Sequence, residues 1–250
     1  MRDAIAAIAE AICVTRLDNG EQLLPLHRNS GYVCSKMWAC FRILRAGLYC
    51  VIVCNMPAHA HPHVWVTMHT ELVYAPDGLI TGVRHTWAFD DMFSAFATQG
   101  LESKERGKFT TEELAPLAKA NIESFKEFEY FTYATADGKK VPFGEPLPDY
   151  WLDYVDSVLT IHFTLPFKMP VQAKELKLEV YDPTIFVKFE FAKDTPVKFV
   201  GSPRCKLDIA LPREMTSTER MALSQIAADV ANTTMAWGAQ FANKILVHCP

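Results

Sequence analysis

The stretch H-V-W-V-T-M-H-T-E-L-V-Y-A-P-D-G-L-I-T-G-V-R-H-T-W-A-F-D, residues 63–90, decides the fold. Its first half is rich in Val, Trp, Thr and Tyr, which suit a pleated, half-buried surface, so a strand is predicted over residues 63–75. Pro76-Asp77-Gly78 turns the chain, and residues 79–90 return it as the second arm of a hairpin. If the three-residue turn pairs Ala75 with Leu79, then His69 lies opposite His85, Thr67 opposite Trp87 and Trp65 opposite Phe89, all on one face. A slip of one residue would exchange every partner.

Beyond the hairpin the period changes. Residues 90–99 and 111–130 are predicted as two amphipathic helices, the second with Phe125 and Phe128 on its apolar stripe. The twelve residues between them carry the frame of an EF-hand loop: Glu102 at the first position, Gly107 at the sixth, Phe109 at the eighth and Glu113 at the twelfth. Lys104 and Arg106 stand at the third and fifth positions, where oxygen ligands belong. Two cations there repel a divalent ion, so the loop reads as a degenerate calcium loop, and calcium is not expected as a cofactor. An ordinary helix-turn-helix with a coincidental Gly-x-Phe is the plainer alternative.

From Phe131 the texture is that of short strands separated by Asp-Gly, Asp-Ser, Asp-Pro and Gly-Ser-Pro turns, at the spacing of a β-sandwich. Thr216 and Glu219 form a capping box that opens a late helix with Ile226, Val230, Thr233, Trp237 and Phe241 at helical spacing. A short strand over residues 245–249 ends the chain. The expected class is α+β: an N-terminal β-hairpin with a degenerate EF-hand-like helix-loop-helix over residues 61–130, then an antiparallel β-sandwich-like region with the late helix over residues 131–250.

The first 60 residues read differently. Residues 1–36 resemble no domain and are expected to be a non-native or disordered extension. Residues 37–60 read as a signal peptide: Arg42 and Arg45, a short apolar run, then Ala58-His59-Ala60 as a cleavage site. The apolar run of about nine residues is too short to cross a bilayer, which needs ~20. Five of the seven cysteines precede the cut, and only Cys205 and Cys249 follow it. In an exported chain these two read as one disulfide, worth about 3–4 kcal/mol by loop entropy, with two separate buried thiols as the alternative. Residues 1–60 carry six Lys/Arg and four Asp/Glu, which leaves 19 basic and 25 acidic groups in the remainder. That balance argues against nucleic acid as a partner.

Cleavage after Ala60 makes His61 the N-terminal residue, with its α-amine, its imidazole and the imidazole of His63 close together. His85 or Asp90 from the returning strand could complete such a metal site. Nitrogen donors suit nickel, cobalt, zinc or copper. Sequence motifs for hydrolases, zinc proteases and nucleotide binding are absent.

Several runs carry a family resemblance: H-P-H-V-W-V at residues 61–66, R-H-T-W-A-F-D at 84–90, E-E-L-A-P-L-A at 112–118, L-T-I-H-F-T-L-P at 159–166 and L-E-V-Y-D-P-T at 178–184. In this order they resemble a family of uncharacterised bacterial exported proteins known as the periplasmic component of an ABC-type transport system, often encoded beside nickel/cobalt-type permeases. The resemblance implies a periplasmic, non-catalytic accessory or metal-binding component of a transition-metal transport system, with a membrane permease as partner and no membrane insertion of its own after signal cleavage. Two alternatives stand beside it: a structural docking subunit of the transporter without metal, and a copper enzyme that uses the N-terminal histidine.

Overall fold

The computed structural model describes residues 64–105, 107–201, 204–219 and 238–250. Every described residue belongs to the compact unit Ala60–Pro250. The proposed extension and signal segment, His61, His63, Arg106 and most of the late helix lie outside the described residues.

The hairpin forms from β1 (Val64–Tyr74) and β2 (Ile80–Phe89). Its turn closes as the sequence predicts: the Ala75 amide donates to the Leu79 carbonyl at 2.8 Å, and Gly78 supplies the left-handed φ of +87° that side chains avoid. Tyr74 then pairs with Ile80, but Val73 pairs with Gly82, so Thr81 is an extra residue on β2. This bulge shifts all later partners by one. His69 faces Thr86, Thr67 faces Ala88 and Phe89 faces Val66, in place of the predicted pairs. The bulge also swaps faces: Val83, His85, Trp87 and Phe89 turn inward, while Arg84, Thr86 and Ala88 turn outward. Gly82 is required there, because a Cβ would sit 2.5 Å from the Leu165 carbonyl oxygen.

Downstream elements are helices α1 (Asp91–Ala97) and α2 (Thr111–Phe125), then strands β3 (Thr132–Ala136), β4 (Lys139–Val141), β5 (Trp151–Val155), β6 (Val158–Val171), β7 (Glu175–Val180), β8 (Val187–Phe191), β9 (Val197–Val200), β10 (Lys206–Ala210) and β11 (Asn243–His248). Six of the strands make one sheet in the order β5-β6-β2-β1-β8, with β9 also on β1; five make the second in the order β10-β11-β7-β3-β4. Strands β8 and β9 run parallel to β1, so the first sheet is mixed. The inner faces meet around Trp87, which is buried among the rings of Phe163, Phe189 and Phe125 at 4.8, 4.8 and 5.6 Å. Burying such a side chain contributes roughly 2–3 kcal/mol, and the phenylalanines around it come from β6 and β8 of the larger sheet and from α2.

These connections correct the expected class. The chain is a β-rich, two-sheet fold with few helical residues, and the hairpin is no separate N-terminal unit. β1 and β2 form the middle of the larger sheet, because β1 bonds β2 on one edge and β8 and β9 on the other. The EF-hand-like pair is also absent as such. α1 is only seven residues long, and α2 ends at Phe125, after which Glu129, Tyr130 and Phe131 take left-handed φ angles and break the predicted helix. The disulfide is present: Cys205 and Cys249 are bonded with their Cα atoms 4.2 Å apart, flanking the antiparallel pair Lys206 and His248 of β10 and β11.

Candidate functional site

At the start of β1, Asp90 ties strand to helix. The Trp65 amide donates to Asp90 Oδ2 at 2.7 Å, the Asp90 amide donates to the Trp65 carbonyl at 2.9 Å, and Asp90 Oδ1 accepts from the Phe93 amide at 2.9 Å as the N-cap of α1. A carboxylate is thereby fixed beside the residue that follows His63 and Val64. Each oxygen spends one lone pair on an amide and keeps another. His61 and His63 themselves are outside the described residues.

His85 sits elsewhere. It faces Thr70, six residues into β1, which at ~3.3 Å per residue is about 20 Å from the strand's start. Its ring is fully buried between Trp87 and Phe163. Nδ1 lies 3.1 Å from Thr70 Oγ1, and Nε2 lies 3.3 Å from Thr132 Oγ1 on the opposite sheet. The Thr132 hydroxyl already donates its single proton to the Tyr130 carbonyl at 2.8 Å, so it must accept from Nε2–H. The Thr70 hydroxyl then donates to Nδ1. Both ring nitrogens are engaged, and burial pushes the imidazole down to about 3, so it is neutral at physiological pH. His85 joins the two sheets and has no nitrogen left for a metal ion.

The outward face of the larger sheet carries a cluster that sequence reasoning missed. Register aligns Trp151, His162, Thr86 and His69 on four successive strands. His162 Nε2 lies 2.8 Å from Asp153 Oδ2 and Nδ1 lies 3.2 Å from Thr86 Oγ1, while the Trp151 ring stacks on the imidazole at 3.8 Å. A carboxylate only accepts, so Nε2 donates to Asp153, and in the neutral ring Nδ1 accepts from the Thr86 hydroxyl. The order hydroxyl, imidazole, carboxylate is that of a nucleophile relay. Thr86 lies in mid-strand between β1 and β6, whose ladders occupy the surrounding amides. Alternation along β5 and β6 could have placed Trp151, Asp153 and His162 on one face, but only the bulge brings Thr86 to them.

The degenerate calcium loop is held by its own twelfth residue. Glu113 Oε2 accepts from the Thr110 amide at 2.8 Å and Oε1 from the Lys104 amide at 3.0 Å, while Thr110 Oγ1 accepts from the Glu113 amide at 3.3 Å. These bonds to Thr110 and Lys104 hold the Glu113 carboxyl below the usual range. Gly107 takes a left-handed φ of +77° at the loop's tip, Lys108 pairs with Glu105, and Glu102 is exposed. The oxygen that would clamp calcium is capping α2 instead. Among the described residues, no group of three or more His, Cys, Asp or Glu side chains is placed to hold a metal ion, and no helix is long and apolar enough to cross a membrane.

A family model described as "Protein of unknown function (DUF1007)" matches residues 46–249. An uncharacterized protein of Haemophilus influenzae is 24% identical over 193 residues, covering 76% of this chain and 91% of that protein. An uncharacterized 15.5 kDa protein in the trpE 3' region of Spirochaeta aurantia is 30% identical over 106 residues, covering 42% of this chain and 75% of that protein.

Proposed function

We propose, for a chain that belongs to the DUF1007 family of proteins of unknown function, the role of a periplasmic, non-catalytic accessory of a transition-metal transport system. It captures the ion through the imidazoles of His61 and His63 and the α-amine released by cleavage after Ala60. The observation that supports this reading is the clamp at Asp90, which fixes the start of a central strand and holds a carboxylate on the amide of Trp65, two residues after His63 in the sequence. Imidazole and amine nitrogens with one carboxylate suit nickel, cobalt, zinc or copper. The loop of Glu102, Gly107 and Glu113 does not suit calcium, since Lys104 and Arg106 stand where oxygen ligands belong. A bound ion would act here as cargo, and delivery to a membrane permease would be the next step.

The test is intact mass of the exported protein to find its N-terminus, followed by calorimetric titration of metal-free protein with each of the four ions. One site with Kd at or below about 1 μM (roughly −8 kcal/mol) is expected, lost in the His61→Ala/His63→Ala double variant and weakened about tenfold by Asp90→Asn. Wild-type binding no tighter than about 1 mM sinks the metal site and favours the docking-subunit reading. Oxidative turnover with copper would instead favour the copper-enzyme reading.

A further inference from the structure

Strand β10 ends the smaller sheet: it pairs with β11 on one side and with no described strand on the other. Which of its backbone groups face outward follows from the ladder. The Asp137 amide donates to the Glu175 carbonyl on the β3 side of β7, and the Cys249 amide donates to the Lys174 carbonyl on the β11 side. Backbone groups of successive residues in a strand point to alternate sides, so Ile245, Val247 and Cys249 bond toward β7, while Lys244, Leu246 and His248 bond toward β10. Their partners Ala210, Asp208 and Lys206 turn toward β11. The amides and carbonyls of Cys205, Leu207 and Ile209 point outward, where a further strand can add.

The side chains divide in the same way. Leu207 and Ile209 stand opposite Val247 and Ile245, which are fully buried, so both lie on the core face of the sheet. Yet Leu207 is half-buried and Ile209 is 37% exposed. Lys206 and Asp208 are exposed on the other face. The edge therefore combines unpaired backbone groups, uncovered apolar side chains and one charge of each sign.

A second copy of the same edge fits it in one register. Antiparallel self-pairing about a two-fold axis requires residues with outward backbone groups to meet each other. An axis at Lys206 or at Asp208 sets like charges face to face, which is unfavourable. An axis at Ile209 sets Asp208 against Ala210 and Lys206 against Pro212, which has no charge to offer. An axis at Leu207 sets Lys206 of each copy against Asp208 of the other. Leu207 then meets Leu207 of the second copy, and Ile209 meets Cys205, so the apolar face continues across the axis while the outward amides and carbonyls bond one another.

We infer that this protein self-associates through β10, two copies joining antiparallel at Leu207 into one continuous sheet with reciprocal Lys206–Asp208 pairs. A strand pair of this length buries less than the ~1,600 Å² of a standard interface, so the dimer is weak and reversible, with Kd about 100 μM. The pairing is independent of the metal reading, since it uses neither His61 nor His63.

The test is sedimentation equilibrium from about 5 μM to about 1 mM protein, in EDTA so that no metal ion bridges two copies. A monomer–dimer equilibrium is expected in the wild type. Lys206→Asp alone and Asp208→Lys alone bring like charges together at both facing positions and are expected to weaken association at least about tenfold. Mixed in equal amounts, the two variants carry opposite charges at those positions and are expected to associate as the wild type does. Both substitutions fall on exposed side chains, and recovery in the mixture shows that each variant is folded. A wild type that stays monomeric at about 1 mM overturns the inference. So does a dimer that either single variant leaves unchanged, and so does a mixture that remains monomeric.

Discussion

Acidification provides a test of the buried imidazole at His85. The folded chain holds it down to about 3, whereas in the unfolded chain it titrates near its ordinary value of about 6.5. Between those values the unfolded state binds the proton and the folded state does not. Stability therefore rises with pH: the contribution is complete above about pH 6.5 and drains away as pH falls toward 3, with an upper bound of roughly 5 kcal/mol. From pH ~7 to pH ~5 this one group should remove about 2 kcal/mol. Other carboxylates and histidines titrate too, so the assay is a difference. Urea unfolding is measured at both pH values for the wild type and for His85→Asn, which keeps a donor and an acceptor but does not ionise. The variant should be about 2 kcal/mol less stable at neutral pH, because a smaller side chain sits between Trp87 and Phe163. It should also lose about 2 kcal/mol less than the wild type on acidification. Equal losses in the two proteins would refute the buried, neutral assignment and the Thr70–His85–Thr132 link with it.

Gly82→Ala places a Cβ 2.5 Å from the Leu165 carbonyl oxygen and 2.7 Å from Pro166 Cα, both backbone atoms, and should cost about 3 kcal/mol in chemical denaturation. Thr110→Ala removes the N-cap of α2 and should cost about 1 kcal/mol. Millimolar calcium should leave the melting temperature of the wild type unchanged, since Lys104 and Arg106 replace two oxygen ligands of the loop. The Cys205→Ala/Cys249→Ala double variant should lose about 2–4 kcal/mol, and a reductant should lower the melting temperature of the wild type but not that of the variant.

The turns were legible in the sequence because their chemistry is local. Pro76-Asp77-Gly78, Asp137-Gly138 and Asp156-Ser157 all turn the chain, and Gly78, Gly138, Asp137, Asp156 and Ser157 adopt the positive φ angles that these residues tolerate. The bulge at Thr81 was not legible, since one extra residue leaves no mark in composition. It alone decides whether His85 stands beside His69 on the outside or between the sheets. Glu113 shows a different failure. Thr110-x-x-Glu113 satisfies a capping box as well as the end of an EF-hand loop, and the capping box wins. Its amides lie within three residues, whereas a calcium cage needs further oxygens that Lys104 cannot supply. The contact of Thr86 with His162 depends on a pairing across 76 residues that no local pattern records, whereas the His162–Asp153 pair lies within one hairpin. The cysteine pair was legible because only two cysteines follow the predicted cut.

The parallel pairing of β1 with β8 and β9 carries a consequence for the order of assembly. Val64 meets Val187, and Thr70 meets Val197. The earliest strand of the domain therefore waits for chain more than a hundred residues later before its second edge is closed. Such distant pairings make a fold slow to form, because loop entropy is lost before the contacts return it. Until β6 is made β1 and β2 are a lone hairpin, which is marginal in water, and until β8 and β9 follow, the outer edge of β1 stays open. A chain of this topology gains little native structure while it is emerging end-first. It commits to its fold only when nearly all of it is present, which makes the interval before closure the time when it most needs a partner to hold its edge.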